Sequence, residues 1–274
     1  MRHLFITIFL SVIAVNLYAQ STDTTKKAPL KGWTVMPAKL TFNLDKGAVS
    51  SQTLSIINST DQVFKLNLEL IDWLRDSTGE HVYFPTGSFG HSCASWVKFD
   101  KTYVELKPGE SQSVVVTMSL PDSDSAVAEM KWTMLLVKTV GEKEATKKGG
   151  VQAEVTKSSG IGVHVYQTPP NVQSKEVKML SFSQIGDSLF QIASQNLGGT
   201  QVSANYSIEL SSQATGEKIT LGPKSVPLFP AQKRNVEFAL PEKLAKGRYT
   251  AVALIDVGDD DVPLEAAQKE IEVR

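Results

Sequence analysis

From Trp33 onward the chain is built of short runs in which apolar and polar residues alternate one by one, each run bounded by turn-forming residues. A period of two sends successive side chains to opposite faces of a strand, and its repetition leaves little room for helices. Phe64, Leu66, Leu68 and Leu70 alternate with Lys65, Asn67 and Glu69. Val114, Val116, Met118 and Leu120 repeat the pattern. So do Met130, Trp132, Met134 and Leu136, whose opposite face carries Thr133, Leu135 and Val137. Between the runs stand Asp45-Lys-Gly47, Asn58-Ser-Thr-Asp61, Asp76-Ser-Thr-Gly79 and Lys107-Pro-Gly-Glu110, all residue types that make tight turns. About seven short strands over residues 32–167 predict a β-sandwich. Its last two strands are expected to be Met130–Thr139 and 151–167, separated by a basic loop at 141–150.

Thr168-Pro169-Pro170-Asn171 breaks the alternation, and two prolines cannot continue a central strand. Residues 168–171 are therefore expected to link two domains, 32–167 and 172–274. In the second, Val202, Ala204, Tyr206, Ile208 and Leu210 share one face, and Tyr249, Ala251, Ala253 and Ile255 another. Tyr249 follows Lys246-Gly-Arg248, so a tyrosine stands at a strand start just after a turn. That placement matches the tyrosine corner of immunoglobulin-like sandwiches. Residues 264–270 alone suggest a turn or two of helix. The expected fold class is all-β, with two immunoglobulin-like β-sandwich domains in tandem.

The N-terminus fixes the compartment. Arg2 and His3 precede an apolar run from Leu4 to Val15, and Leu17-Tyr18-Ala19 supplies small-residue cleavage chemistry before Gln20. This is the pattern of a secretory signal peptide over residues 1–19, too short to span a bilayer comfortably. Residues 20–31 read as a polar, flexible leader. The mature protein is expected to be periplasmic or at the cell surface, with no membrane insertion after cleavage.

Chemistry-bearing motifs are sparse. With 28 Lys+Arg against 29 Asp+Glu, the formal charge of −1 offers no footprint for nucleic acid. No phosphate-cradling glycine loop or nucleophile elbow occurs. The single cysteine, Cys93, cannot form an internal disulfide or a multi-thiolate metal site. Cys93 stands two residues from His91, but such pairs are made by spatial neighbours, and the thiol is expected to do no catalytic work. Asp259-Asp-Asp261 reads as a solvated turn, not a calcium loop. No cofactor and no metal is expected, and no enzymatic activity. Asp23-Thr-Thr25, Asp76-Ser-Thr78, Asp124-Ser-Ala126 and Asp187-Ser-Leu189 resemble O-glycosylation acceptors of secreted Bacteroidota proteins, while Asn58-Ser-Thr60 and Asn205-Tyr-Ser207 fit the N-glycosylation sequon.

The order of several segments carries a family resemblance. Val35-Met-Pro-Ala-Lys-Leu-Thr-Phe42 is followed by Gln52-Thr-Leu-Ser-Ile-Ile-Asn58, Leu70-Ile-Asp-Trp-Leu-Arg-Asp-Ser-Thr-Gly79 and Ala94-Ser-Trp-Val97. Next come Val104-Glu-Leu-Lys-Pro-Gly-Glu110 and Ile161-Gly-Val-His-Val-Tyr-Gln-Thr-Pro-Pro170. This order resembles the PapD-like periplasmic pilus chaperones, particularly a divergent Bacteroidota branch, and the N-terminal domain of WxL-interacting proteins. The resemblance covers residues 33–170. It implies a protein client or envelope assembly subunit bound at an exposed strand edge, here by Ile161, Val163 and Val165 on the strand 151–167; the same alternation equally fits a core strand, or one covered by the leader 20–31. It also implies an arginine and a lysine that hold the client's terminal carboxylate. Their places fall near Pro37 and Val163, which match neither. The function expected is a non-enzymatic chaperone or assembly factor for a surface or pilus-like structure. The alternative is a structural or adhesive envelope component that binds a fixed protein or glycan partner.

Overall fold

The computed structural model describes residues 32–148, 151–186, 188–242 and 244–273. The expected signal peptide, the leader and the Asp23 and Asp187 acceptor positions lie outside them. Every element longer than four residues is a strand. The N-terminal half contains β1 (Trp33–Met36), β2 (Lys39–Phe42), β3 (Val49–Asn58), β4 (Phe64–Arg75), β5 (His81–Phe84), β6 (Val97–Phe99) and β7 (Tyr103–Leu106). It continues with β8 (Ser111–Ser119), β9 (Lys131–Thr139), β10 (Glu142–Lys148), β11 (Val151–Lys157) and β12 (Gly160–Gln167). One sheet runs β1-β3-β8-β6; the other runs β2-β12-β9-β4-β5, with β7 also pairing β4.

The period-two runs explain why the two sheets face each other. Leu54 and Ile56 of β3 and Val114, Val116 and Met118 of β8 point inward from the first sheet, and each is buried. Leu66 and Leu68 of β4, Leu135 and Val137 of β9, and Leu40 and Phe42 of β2 meet them from the second. Each such side chain contributes roughly 1.5–3 kcal/mol on burial, so the alternation alone supplies most of the driving force.

The first strand is divided between the sheets. β1 pairs antiparallel with β3, the chain then turns at Pro37 and Ala38, and β2 pairs parallel with β12. Asn58, the sequon asparagine, closes β3 from a fully buried position. Its Nδ2 donates to the carbonyls of Gln62 and Lys107, at 2.6 and 3.0 Å, while Oδ1 accepts from the Thr60 hydroxyl at 2.7 Å. Its amide is thus committed to the fold.

After Pro169 and Pro170 come β13 (Val177–Ile185), β14 (Leu189–Asn196), β15 (Val202–Ser212), β16 (Lys218–Leu228), β17 (Lys233–Ala239), β18 (Gly247–Asp256) and β19 (Glu265–Val273). They form a β13-β14-β17 sheet packed on a β16-β15-β18-β19 sheet. The Tyr249 hydroxyl donates to the Ala245 carbonyl at 2.8 Å, which is the expected tyrosine corner. Two immunoglobulin-like sandwiches in tandem are therefore what the chain forms.

Three expectations need correction. Residues 142–148 are not a loop: β10 pairs with β11 as a two-stranded hairpin from Glu142↔Lys157 to Lys148↔Val151. The expected closing strand 151–167 is accordingly two strands, β11 and β12, parted at Ser158 and Ser159. Residues 264–270 form no helix; their register with β18 makes 265–273 the edge strand β19, so tertiary pairing overrides local helix propensity.

Candidate functional site

The phase of hydrogen bonding along β12 decides which of its backbone groups are free. The His164 N–H donates to the Ala38 carbonyl at 3.1 Å, and the Thr168 N–H to the Phe42 carbonyl at 2.9 Å. Even-numbered residues of β12 therefore point toward β2 and odd-numbered ones toward β9. Pairing with β9 runs the whole length from Gly160↔Lys138 to Gln167↔Lys131, but pairing with β2 begins only at His164↔Lys39. The N–H and C=O groups of Gly160 and Gly162 consequently project from an edge where, among the described residues, no strand follows. β1 has by then left to pair with β3, and Met36 at its end is exposed.

The expected client-binding side chains divide. Val163 and Val165 are completely buried and belong to the sandwich core; Ile161 is half-buried and packs on the margin of that core. Core formation claims the two valines because alternate residues of a closing strand must face the opposite sheet. The open feature is the backbone beside Ile161, between Gly160 and Val163.

The outward face of the same sheet is apolar for much of its length. Ile71 of β4, Tyr83 of β5, Met134 and Leu136 of β9, and the two glycines line a groove of about 520 Å³. At one end Lys138 pairs with Glu69 at 2.6 Å; at the other stand His81 and His164. Their rings lie 6.0 Å apart and nearly parallel, and both rest on the buried Trp73, at 5.0 and 4.6 Å. Burial, reinforced by the charges of His81, Arg75 and Lys39, lowers the His164 pKa to about 4. Burial and Arg75 lower that of His81 as well. Both rings are neutral near pH 7. His81 Nε2, His164 Nδ1 and Trp73 Nε1 are buried without a hydrogen-bond partner.

Beyond the histidines the second domain closes over the sheet. Phe229 packs on Trp73, Trp132 and Tyr166, with ring centroids at 5.2, 4.8 and 5.6 Å. The Asn235 N–H donates to the Ser77 carbonyl at 2.7 Å, Gln232 Nε2 to the Arg75 carbonyl at 3.0 Å, and the Met130 N–H to the Gly199 carbonyl at 2.8 Å. Gly79 is called for by its φ of +104°, a conformation that L side chains rarely adopt, and it lies against the guanidinium of Arg234. Asp76-Ser-Thr78 is thus a junction turn, with the Thr78 hydroxyl donating to Asp76 at 2.7 Å.

No hydrolytic geometry surrounds Cys93. Its side chain is fully buried, its Sγ lies 4.0 Å from the Val165 carbonyl, and burial pushes the thiol pKa far up. A reactive thiol needs the opposite shift. His91 turns elsewhere: its ring stacks on Trp132 at 5.1 Å, and Nδ1 lies 3.1 Å from Glu129 without the alignment of a hydrogen bond. The nearby buried carboxylate, Asp72, accepts hydrogen bonds from Ser92, Thr133 and the Gly87 N–H, which pins the loop before Cys93. Among the described residues no three His, Cys, Asp or Glu side chains converge as a metal site. No helix among them is long and apolar enough to cross a membrane.

Sequence reasoning found the strand but not the cleft. Trp73, His81, His164 and Phe229 come from three strands and one loop, and no local spacing links them. No protein-family model matches the chain, and no curated protein matches it. Solved structures do match. A chain of the chaperone–tip adhesin complex of CFA/I fimbriae aligns at 9% identity with a TM-score of 0.48, over 87% of this chain and 98% of that one. The class 5 fimbriae chaperone CfaA aligns at 11% identity and 0.46, over the same shares. The E. coli chaperone DraB aligns at 14% identity and 0.43, over 89% and 98%. In architecture the chain is similar to pilus chaperones.

Proposed function

We propose that the protein is an exported, non-enzymatic binding factor of the periplasm that holds a protein client by β-strand addition at the Gly160–Val163 edge of β12. Its role is that of a chaperone or assembly factor for a surface or pilus-like structure. One observation supports this reading: an edge whose N–H and C=O groups have no partner strand among the described residues. Proteins normally protect such an edge with charge, proline or a covering element, because it templates pairing with another chain. Gly160, Ile161, Gly162 and Val163 carry no charge and no proline. Strand addition draws affinity from main-chain hydrogen bonds and specificity from alternate side chains. Ile161, Val163 and Val165 then act by holding that edge in register from within the core.

Gly160→Pro tests the reading. Gly160 N–H points away from β9, so a proline there removes no internal hydrogen bond, yet it blocks an incoming strand. With a photo-crosslinking residue at Ser158, the otherwise unsubstituted protein should capture an envelope protein that the Gly160→Pro variant does not. Both should give the same circular dichroism and melting temperature. Capture that survives the proline would refute strand addition.

A further inference from the structure

The glycines on β12 do more than expose backbone. A Cβ built on Gly162 would collide with Met134 Sδ, and one on Gly160 would lie 3.1 Å from Leu136 Cδ1. The tips of two β9 side chains thus reach across β12 to where its own side chains would stand. A strand added at the open edge would meet Met134 and Leu136 as though they belonged to the adjacent strand. Residues directly opposite each other in a sheet share a face, about 4.8 Å apart. Client residues opposite Gly160 and Gly162, two apart in their own sequence, would face the groove.

The charges around the groove narrow the choice of occupant. Glu69 and Lys138 satisfy each other at its end, and His81 and His164 are neutral. Ile71, Met134 and Leu136 offer no partner for a charge, and the Tyr83 hydroxyl, on an exposed side chain, is the one neutral polar group among these four. A client carboxylate or ammonium between them would be desolvated without compensation. A flat ring, by contrast, covers a bare glycine and gains sulfur–aromatic contact with a methionine thioether.

Resting on the strand-addition reading, we infer that Gly160, Gly162, Met134 and Leu136 form a specificity surface for an extended client segment with two large uncharged side chains at alternate positions, the one opposite Gly162 aromatic. The groove is continuous with the free edge, so one segment satisfies both. Position 162 acts by omission: any side chain there would displace the Met134 tip from the place the client ring occupies.

Three ten-residue, fluorescently labelled strand peptides, identical except for Phe-x-Phe, Ala-x-Ala or Glu-x-Glu at their centre, separate the two proposals when titrated onto the full chain. The Phe peptide should bind at least tenfold more tightly than the Ala peptide, and the Glu peptide more weakly than both. Gly162→Ala and Met134→Leu, each verified as folded by circular dichroism, should shrink the preference for Phe over Ala. Gly160→Pro should remove binding of the Phe and Ala peptides alike. Equal affinity for Phe and Ala peptides, both lost in Gly160→Pro, overturns the specificity surface and leaves strand addition standing. A preference for Phe that survives Gly160→Pro overturns strand addition. Failure of all three peptides to bind overturns both.

Discussion

The two sandwiches treat their sheet edges in opposite ways. In the second, β16 carries Lys218, Lys224, Pro223 and Pro227, and its pairing with β15 is broken by a register shift near Tyr206. β19 carries Glu265, Lys269, Glu270 and Glu272. The β17 edge is covered: Lys224 Nζ donates to the Glu237 carbonyl at 2.6 Å, and the Asn235 N–H is taken by Ser77 of the first domain. Charge, proline, irregular register and burial are the devices that keep edges monomeric, and this domain uses all four. The first domain uses none of them over residues 160–163. Both halves belong to one chain, so the contrast lies in the edges themselves.

The contrast can be broken most severely by placing a charge on the wrong side of β12. Val163 is fully buried, so Val163→Glu strands a carboxylate in the core and should cost more than about 3 kcal/mol. Chemical denaturation should show the first domain largely unfolded. Gly160→Lys, on the free side of the same strand, should leave the denaturation midpoint nearly unchanged. A destabilised Gly160→Lys would mean that Leu136 cannot yield to a side chain at this position.

Next in size is the junction. Phe229→Ala removes the one second-domain ring that packs on Trp73, Trp132 and Tyr166, at a cost of about 3 kcal/mol. Small-angle scattering should show a larger radius of gyration, with each sandwich still folded. An unchanged radius would transfer the burden to the three interdomain hydrogen bonds.

A smaller, pH-dependent effect sharpens the comparison, because among the described residues the histidines lie only in the first domain. The His164 pKa falls from 6.5 to about 4 in the folded protein, so the unfolded chain binds the proton more readily between those values. Its contribution is complete above about pH 6.5 and is lost progressively as the pH falls toward 4. Melting temperatures followed from pH 7 to pH 4 should fall less steeply for His164→Gln than for the parent protein. Parallel curves would remove His164 from the account. Smallest is the aggregation liability of an unprotected second-domain edge: Lys224→Val should raise the dimer fraction slightly in light scattering.

What the sequence disclosed and what it hid follow from the range of each interaction. Alternation along β3, β4, β8 and β15 is local, so the strands and the core were legible. So was the tyrosine corner, because Tyr249 and Ala245 are four residues apart. The β10–β11 hairpin was hidden because polar residues dominate both strands. β19 misled because Glu, Ala, Gln and Lys favour helices until a partner strand is present. The edge was half visible: the glycines could be read as an interruption, but only the register with β2 and β9 shows that both project their backbone groups outward. Val163 and Val165 obey the same alternation as a binding row would, and that alternation places them in the core.

In the proposed strand addition, the crossing of the first strand from one sheet to the other would set how much of a guest segment can be paired. Ala38 is the last residue of the crossover, and its carbonyl captures the His164 N–H, ending the vacant stretch there. Each two-residue displacement of that crossover would add or delete one N–H and C=O pair, about 6.6 Å of strand. The footprint available to a guest is therefore set by where Pro37 falls in the chain, and not by the strand the guest would touch. A related protein with its crossover one such step later would grip a longer segment through an otherwise identical sheet.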